Sequence, residues 1–207
     1  MSGAISMGSI PAHLIMGLGP LDPFGEFLIA DNFTDTDATQ CSDHISDKRV
    51  GTNGWNSAVA TYDINSNRVD ASTTADGDEA YIETNVANHY AQASITGNNA
   101  EGVIVRFTDS NVYYLAHVVT LGGALDIYRN NSGFTAIQTN VVTWVDGDVL
   151  RLEAKPDGTL QAYQNDTAVG AALVDSDIST TATSVGIRSS FSDTASWLDT
   201  FRVGLSS

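Results

Sequence analysis

Glu101-Gly-Val-Ile-Val-Arg-Phe-Thr-Asp-Ser-Asn-Val-Tyr-Tyr-Leu-Ala-His-Val-Val119 decides the fold class. The stretch holds two runs rich in β-branched and aromatic residues, expected as strands at Gly102–Thr108 and Val112–Thr120. Side chains alternate across an extended strand. Val103, Val105 and Phe107 therefore share one predicted face, and Ile104 and Arg106 the other. Val112 to Val119 is apolar at nearly every position, which predicts a central strand covered on both sides.

The same grammar extends in both directions. Strands are expected at Glu26–Phe33, Ala58–Tyr62, Arg68–Ala71, Ala80–Thr84, His89–Thr96, Gly102–Thr108 and Val112–Thr120. They continue at Ala124–Asn130, Thr135–Val142, Val149–Lys155, Thr159–Gln164, Ser184–Ser189 and Trp197–Val203. Between them lie Asn53-Gly54, Asp76-Gly77, Gly97-Asn-Asn99, Gly122-Gly123, Asp146-Gly147 and Pro156-Asp-Gly158. The last is the strongest turn, because proline presets φ and glycine accepts a positive one. Leu150, Leu152 and Ala154 oppose Arg151 and Glu153, while Leu125 and Ile127 oppose Asp126 and Tyr128. No long segment keeps a 3.6-residue period, so the body, residues 26–207, reads as all-β.

Residues 1–25 read differently. The first 47 residues contain no Lys or Arg, and the opening stretch is apolar and broken by Gly and Pro. Such an end frays unless tied down. It is expected to form an extended docking arm, with Ile5, Met7, Ile10, Leu14, Ile15, Met16, Leu18 and Leu21 as its contact residues. A secretory signal would need a basic n-region, which is missing here. No apolar stretch reaches the length of a membrane span.

The chain has 207 residues, 42% of them apolar, enough for a real core in one domain. Its net charge of −16 comes from 20 Asp and five Glu against nine Lys and Arg. This excludes nucleic acid as an expected partner and disfavours an anionic membrane surface. Cys41 is the only cysteine, so no intramolecular disulfide forms, and a small buried thiol is expected there.

The string from Glu101 to Leu115, followed by Gly123-Ala-Leu-Asp-Ile-Tyr-Arg129, resembles the strand succession of concanavalin A-like, laminin-G-like jelly rolls. Val149-Leu-Arg-Leu-Glu-Ala154 with Gly158-Thr-Leu-Gln-Ala-Tyr-Gln-Asn165 is similar to a hairpin of that family. Trp197-Leu-Asp-Thr-Phe-Arg-Val203 resembles its last strand, and Asp31-Asn-Phe33 its first. The resemblance implies a β-sandwich of two antiparallel sheets, with a concave face that often binds glycans. It leaves function open, because the fold serves lectins, glycosidases, adhesins and spacers.

The sandwich-fold glucanases that the chain resembles place their carboxylates as Glu-x-Asp-x-Glu on one strand, and no Glu here is followed two residues later by Asp. Glu79 and Glu83 share a face but lack the middle acid. His13, His44, His89 and His117 have no metal-ligand spacing, and no Gly-x-Ser-x-Gly elbow is present. Leu121-Gly-Gly123 is a hairpin turn, not a phosphate loop. No cofactor is expected. Calcium is the one cation left open, at Asp31/Asp35/Asp37, Asp76/Asp78/Glu79 or Asp146/Asp148. A glycan site would use rings and hydrogen-bonding groups on one sheet face, with Arg106, Tyr113, His117, Asp126 and Tyr128 as candidates. The resulting expectation is a non-enzymatic, homo-oligomeric virion surface protein of a bacteriophage, in a head-decoration, fibre or tail-accessory role. It would be held to other virion subunits through residues 1–25 and would present a jelly roll to host-surface glycan. A free carbohydrate-binding module or adhesin is the alternative, with a glucanase- or lyase-type enzyme behind it.

Overall fold

The computed structural model describes residues 27–58, 62–71, 78–96, 101–119, 124–189 and 197–206. The arm expected at 1–25 lies outside the described residues, as do the turns at Asp76-Gly77, Gly97-Asn-Asn99 and Gly122-Gly123. The strands are β1 (Ile29–Asp31), β2 (Thr39–Gln40), β3 (Asn56–Ser57), β4 (Tyr62–Ile64), β5 (Val69–Ala71), β6 (Asp78–Glu83), β7 (His89–Thr96) and β8 (Glu101–Asp109). They continue with β9 (Val112–Val119), β10 (Ala124–Asn131), β11 (Phe134–Gln138), β12 (Val149–Ala154), β13 (Thr159–Gln164), β14 (Thr167–Val174), β15 (Ser184–Ser189) and β16 (Trp197–Leu205). A 3-10 turn at Cys41–Asp43 lies between β2 and β3. No helix among the described residues is long and apolar enough to cross a membrane.

The strands form two antiparallel sheets. The nine-stranded sheet runs β14-β13-β12-β7-β16-β5-β4-β2, with β1 also paired to β16. The seven-stranded sheet runs β11-β10-β9-β8-β15-β6-β3. Strands from the two ends of the chain interleave in both sheets: β15 lies between β6 and β8, and β16 lies beside β7. This is the concanavalin A-like jelly-roll sandwich. Its core is made by the inward faces: Val103, Val105, Tyr114, Ala116 and Ile127 from one sheet, and Ala91, Ile95, Leu150, Leu152 and Phe201 from the other.

The expected alternation fails at one place. β8 carries a bulge: Ile104 pairs with Gly186 and Phe107 with Ser184, three steps on β8 against two on β15. Arg106 sits in the bulge in the left-handed region, with φ 53°. An extra residue reverses the phase of the strand beyond it. Phe107 therefore leaves the core and packs with Ile104, Tyr113 and Leu115 on the outer face of the seven-stranded sheet. Arg106 is fully buried, and its Nη2 donates to the Lys155 carbonyl. Its backbone N–H donates to Nε2 of His89 at 3.2 Å, while Nδ1–H of His89 donates to the Val86 carbonyl at 2.7 Å. Both bonds suit a neutral ring. Burial first, with the Arg106 charge adding to it, pushes His89 down to about 4.

Other departures are local. The strand expected over Thr135–Val142 stops at Gln138, because Asn140 turns left-handed at φ 53° and gives its N–H to Asp126 Oδ1 at 2.7 Å. Of the strand expected at Ala58–Tyr62, residues 59–61 lie outside the described residues; β3 ends at Ser57 and β4 begins at Tyr62. β14 was not anticipated. It returns from β13 through Asn165-Asp166, both at positive φ, a two-residue hairpin turn without its usual glycine.

Gly186 lies on the outer face of β15, since Val185 and Ile187 on either side of it are in the core. A Cβ there would strike the Ala80 carbonyl oxygen and come within 3.2 Å of Tyr81 Cα. Both are backbone atoms, which cannot swing aside. Gly186→Ala is expected to cost about 1–3 kcal/mol of stability by overpacking. Urea unfolding measures it, and an unchanged midpoint would show that β6 and β15 are not this close.

Candidate functional site

The outer face of the seven-stranded sheet carries a row of rings across its strands. Tyr81 of β6 stacks on Phe107 of β8, with centroids 4.4 Å apart and planes 18° off parallel. Phe107 stacks on Tyr113 of β9 at 5.8 Å. Phe134, at the start of β11, meets Tyr113 edge-on at 6.0 Å and Tyr128 of β10 at 6.2 Å. Tyr128 in turn meets His117 edge-on at 6.0 Å. β15 separates Tyr81 from Phe107, and the missing side chain at Gly186 lets the two rings meet above it. Offset and edge-on pairs at these distances are the favoured aromatic geometries.

Polar groups are set into this row. Glu79 is buried, at 2% exposure. It accepts a hydrogen bond from the Tyr113 hydroxyl and lies 3.4 Å from Nε of Arg188. The guanidinium of Arg188 covers the Phe134 ring at 4.6 Å. Burial pushes the Glu79 carboxyl up to about 7; Tyr113 and Arg188 pull it down, and the charge of Asp109 adds to the rise. Tyr113 is itself raised well above its ordinary value, chiefly by burial. At the other end of β6, burial works to raise Glu83, but hydrogen bonds from Thr183, the Asn85 amide and Ser184 outweigh it and hold the carboxyl below its usual value.

A shallow groove of about 280 Å³ opens beside the Tyr81–Phe107 stack, lined also by Ser57, Ala58, Thr108, Asp109 and Ser110. It lies where β3 meets the turn between β8 and β9.

Four of the five residues expected to bind a ligand do share this face: Tyr113, His117, Asp126 and Tyr128. Arg106 does not, because the bulge turns it into the sandwich. Tyr113 is fully buried and anchors the row from beneath. Asp126 is committed to the Asn140 N–H and, through Oδ2, to the Tyr128 hydroxyl at 3.1 Å. The residues that sequence reasoning missed are Tyr81, Phe107, Asp109, Phe134 and Arg188. Tyr81 follows Glu79 by two positions and so shares its face, a signal that was there to use. Phe107 was hidden by the bulge.

The expected calcium clusters are used internally where they are described. His44 bridges two of the acids, with Nε2 at 2.8 Å from Asp31 and Nδ1 at 3.3 Å from Asp35, and Asp37 accepts the Ser66 N–H at 2.7 Å. Asp148 accepts from Val145, Gln164 and Asn165. Among the described residues no group of three or more His, Cys, Asp or Glu could hold a metal ion.

The architecture has solved counterparts. The GH43 protein BlXynB of Bacillus licheniformis aligns with a TM-score of 0.59 at 13% identity, over 86% of this chain and 39% of that one. The Emp46p carbohydrate recognition domain, in its metal-free form, aligns at 0.50 with 8% identity, over 81% of this chain and 95% of that one. The exoplasmic/lumenal domain of VIP36, with Ca2+ and Man3GlcNAc bound, aligns at 0.50 with 9% identity, over 75% and 84%. At these identities the likeness establishes the fold. No protein-family model matches the chain, and no curated protein matches it in sequence.

The raised Glu79 carboxyl has a thermodynamic consequence. Between its ordinary value of 4.5 and about 7, the folded protein holds a proton there that the unfolded chain releases. Stability from this group is therefore full below about 4.5 and is lost as pH rises through 7. His89 acts in the opposite sense: its folded value near 4 means that its contribution is present at neutral pH and is lost as pH falls from about 6.5. Comparison with Glu79→Gln isolates the first effect. The stability of the wild type relative to this variant is expected to fall between pH 5 and pH 7.5, measured by urea unfolding. A difference that stays constant with pH would place the Glu79 carboxyl in water.

Proposed function

We propose that this chain is a non-enzymatic glycan-binding module whose binding surface is the outer face of the seven-stranded sheet. The observation that carries this reading is the aromatic row from Tyr81 to Tyr128. Buried Phe107 and Tyr113 hold it rigid, and partly exposed Tyr81, Tyr128 and Phe134 offer ring surface at its two ends. Rings fixed this way present apolar area to sugar C–H faces at little entropic cost. VIP36, a solved neighbour in fold, carries Man3GlcNAc in its structure. The non-enzymatic part is supported by the two face-sharing glutamates. Glu79 is sealed beneath the rings and Glu83 is held by Ser184 and Asn85, so neither stands ready to flank a glycosidic bond.

The finer setting we propose is a virion surface, with residues 1–25 docked on a neighbouring subunit of a homo-oligomeric assembly. Apolar side chains in that segment support it: burying one fully is worth about 1.5–3 kcal/mol, so a few of them against a partner would offset the ordering of a Gly-rich chain. The described core begins at Ile29 and closes on itself through β1 and β16. Deletion of residues 1–22 is therefore expected to leave a folded sandwich that no longer joins its assembly. Circular dichroism and size-exclusion chromatography read the two parts separately. Unfolding, or assembly at unchanged affinity, would remove the anchoring role.

The binding face has its own test. Tyr128→Ala and Phe134→Ala are expected to weaken polysaccharide binding by about 1–3 kcal/mol each with little change in melting temperature. Tyr113→Ala is expected to lower the melting temperature itself. Full affinity in folded Tyr128→Ala, Phe134→Ala and Tyr81→Ala variants would sink the assignment of this face.

A further inference from the structure

The two ends of the aromatic row differ. At one end Tyr128 leans on Asp126, an acid already satisfied by the Asn140 N–H. At the other, the groove beside Tyr81 and Phe107 adds hydroxyls from Ser57, Thr108 and Ser110 and one charged lining residue, Asp109. Asp109 is exposed. Its Oδ1 accepts the Asn111 N–H at 2.8 Å, one of about four acceptor positions that a carboxylate offers. Among the described residues no Lys or Arg lines the groove. Arg188, the cation on this face, is buried against Glu79 and covered by Phe134.

Resting on the glycan-binding reading above, we infer that this groove is the primary subsite, that it takes one or two uncharged sugar rings, and that it rejects uronate and sulfated sugars. Its volume of about 280 Å³ falls just below the usual range for drug-sized ligands, which suits a chain end or side branch and not a long threaded segment. Stacked rings beside acceptors and hydroxyls match the mixed character of a sugar: C–H faces pack on the aromatic edge, and neighbouring hydroxyls donate to Asp109. An anionic sugar would meet Asp109 with no lining cation to compensate it. It would also approach a protein of net charge −16, whose field opposes it at long range.

The experiment is calorimetric titration of the full chain with neutral gluco-, manno- and galacto-oligosaccharides, oligogalacturonates and a sulfated oligosaccharide, each at two salt concentrations. Neutral sugars are expected to bind at least roughly tenfold more tightly than acidic ones, the order expected when a hydrogen bond to a charged group is lost. Asp109→Asn keeps the turn, because its amide oxygen still accepts from Asn111. It should weaken neutral sugars by about tenfold and narrow the gap to acidic ones. Asp109→Lys should reverse the preference, a change that a purely structural role would not produce. Tyr81→Ala should weaken binding more than Tyr128→Ala. Preference of the wild type for acidic sugars overturns the selectivity. Loss in Tyr128→Ala with full binding in Tyr81→Ala and Asp109→Asn overturns the placement while leaving glycan binding intact. Failure of every sugar on the panel overturns glycan binding itself and this subsite with it.

Discussion

The aromatic outer face depends on the bulge at Arg106. A regular β8 would alternate through its whole length, putting Phe107 in the core and Arg106 on the outside. The inserted residue reverses that order. Arg106 enters the sandwich, where the Lys155 carbonyl and the ring of His89 hold it, and Phe107 emerges to complete the stack between Tyr81 and Tyr113. A buried guanidinium is costly unless bonded, and burial lowers the pKa of Arg106. For the guanidinium the compensation is the bond from Nη2 to the Lys155 carbonyl, just past β12, with the acidic groups of Tyr114, Asp157 and Asp175 nearby. His89 of β7 takes the Arg106 backbone N–H, while Nε and Nη1 have no hydrogen-bond partner among the described residues. The bulge thereby ties the two sheets together on the inner face of β8 and shapes the surface on its outer face.

Beyond the bulge, the outer face is built by close approach. Gly186 clears the surface of β15, so rings from β6 and β8 meet across an intervening strand. Glu79 and Arg188 lie beneath them as a pair with little access to water. Such a pair contributes modestly to stability, because desolvation opposes its attraction. What it adds is position. Glu79 holds the Tyr113 hydroxyl, Arg188 lies against Phe134, and the rings between them are limited to one arrangement.

The legible part of this structure was the part governed by alternation. His89–Thr96 was expected with the ends it has, because one buried face imposes a strict two-residue period along it. Thr159–Gln164 and Ser184–Ser189 also keep their expected ends, although Ser184–Ser189 is buried at every position. β14 escaped because Thr167-Ala-Val-Gly-Ala-Ala-Leu-Val174 shows no such period and is mostly exposed, and because Asn165-Asp166 turns without glycine. The bulge escaped because no local signal marks Arg106 as left-handed. Alternation within β9 and β10 puts Tyr113, His117, Asp126 and Tyr128 on one face. Tyr81, Asp109 and Phe134 come from elements far apart in sequence, and only the strand order β11-β10-β9-β8-β15-β6-β3 brings them to one surface.

The acidity of the chain takes on meaning at the level of hydrogen bonds. With 25 carboxylates and nine Lys and Arg, most acids must find partners other than cations. Asp31 is bonded by the Phe33 amide, the Trp55 indole and His44. Asp148 gathers Val145, Gln164 and Asn165, and Asp175 gathers Tyr114, Arg129 and the Asp177 amide. These acids act as acceptors that pin loops to the sandwich, and each loses that role when protonated. Asp109 secures its own turn with one oxygen and retains acceptor capacity on the exposed edge of the groove. Among the described residues lining that groove it is the one with a formal charge, so it sets the electrostatic character of the groove as well as its own turn.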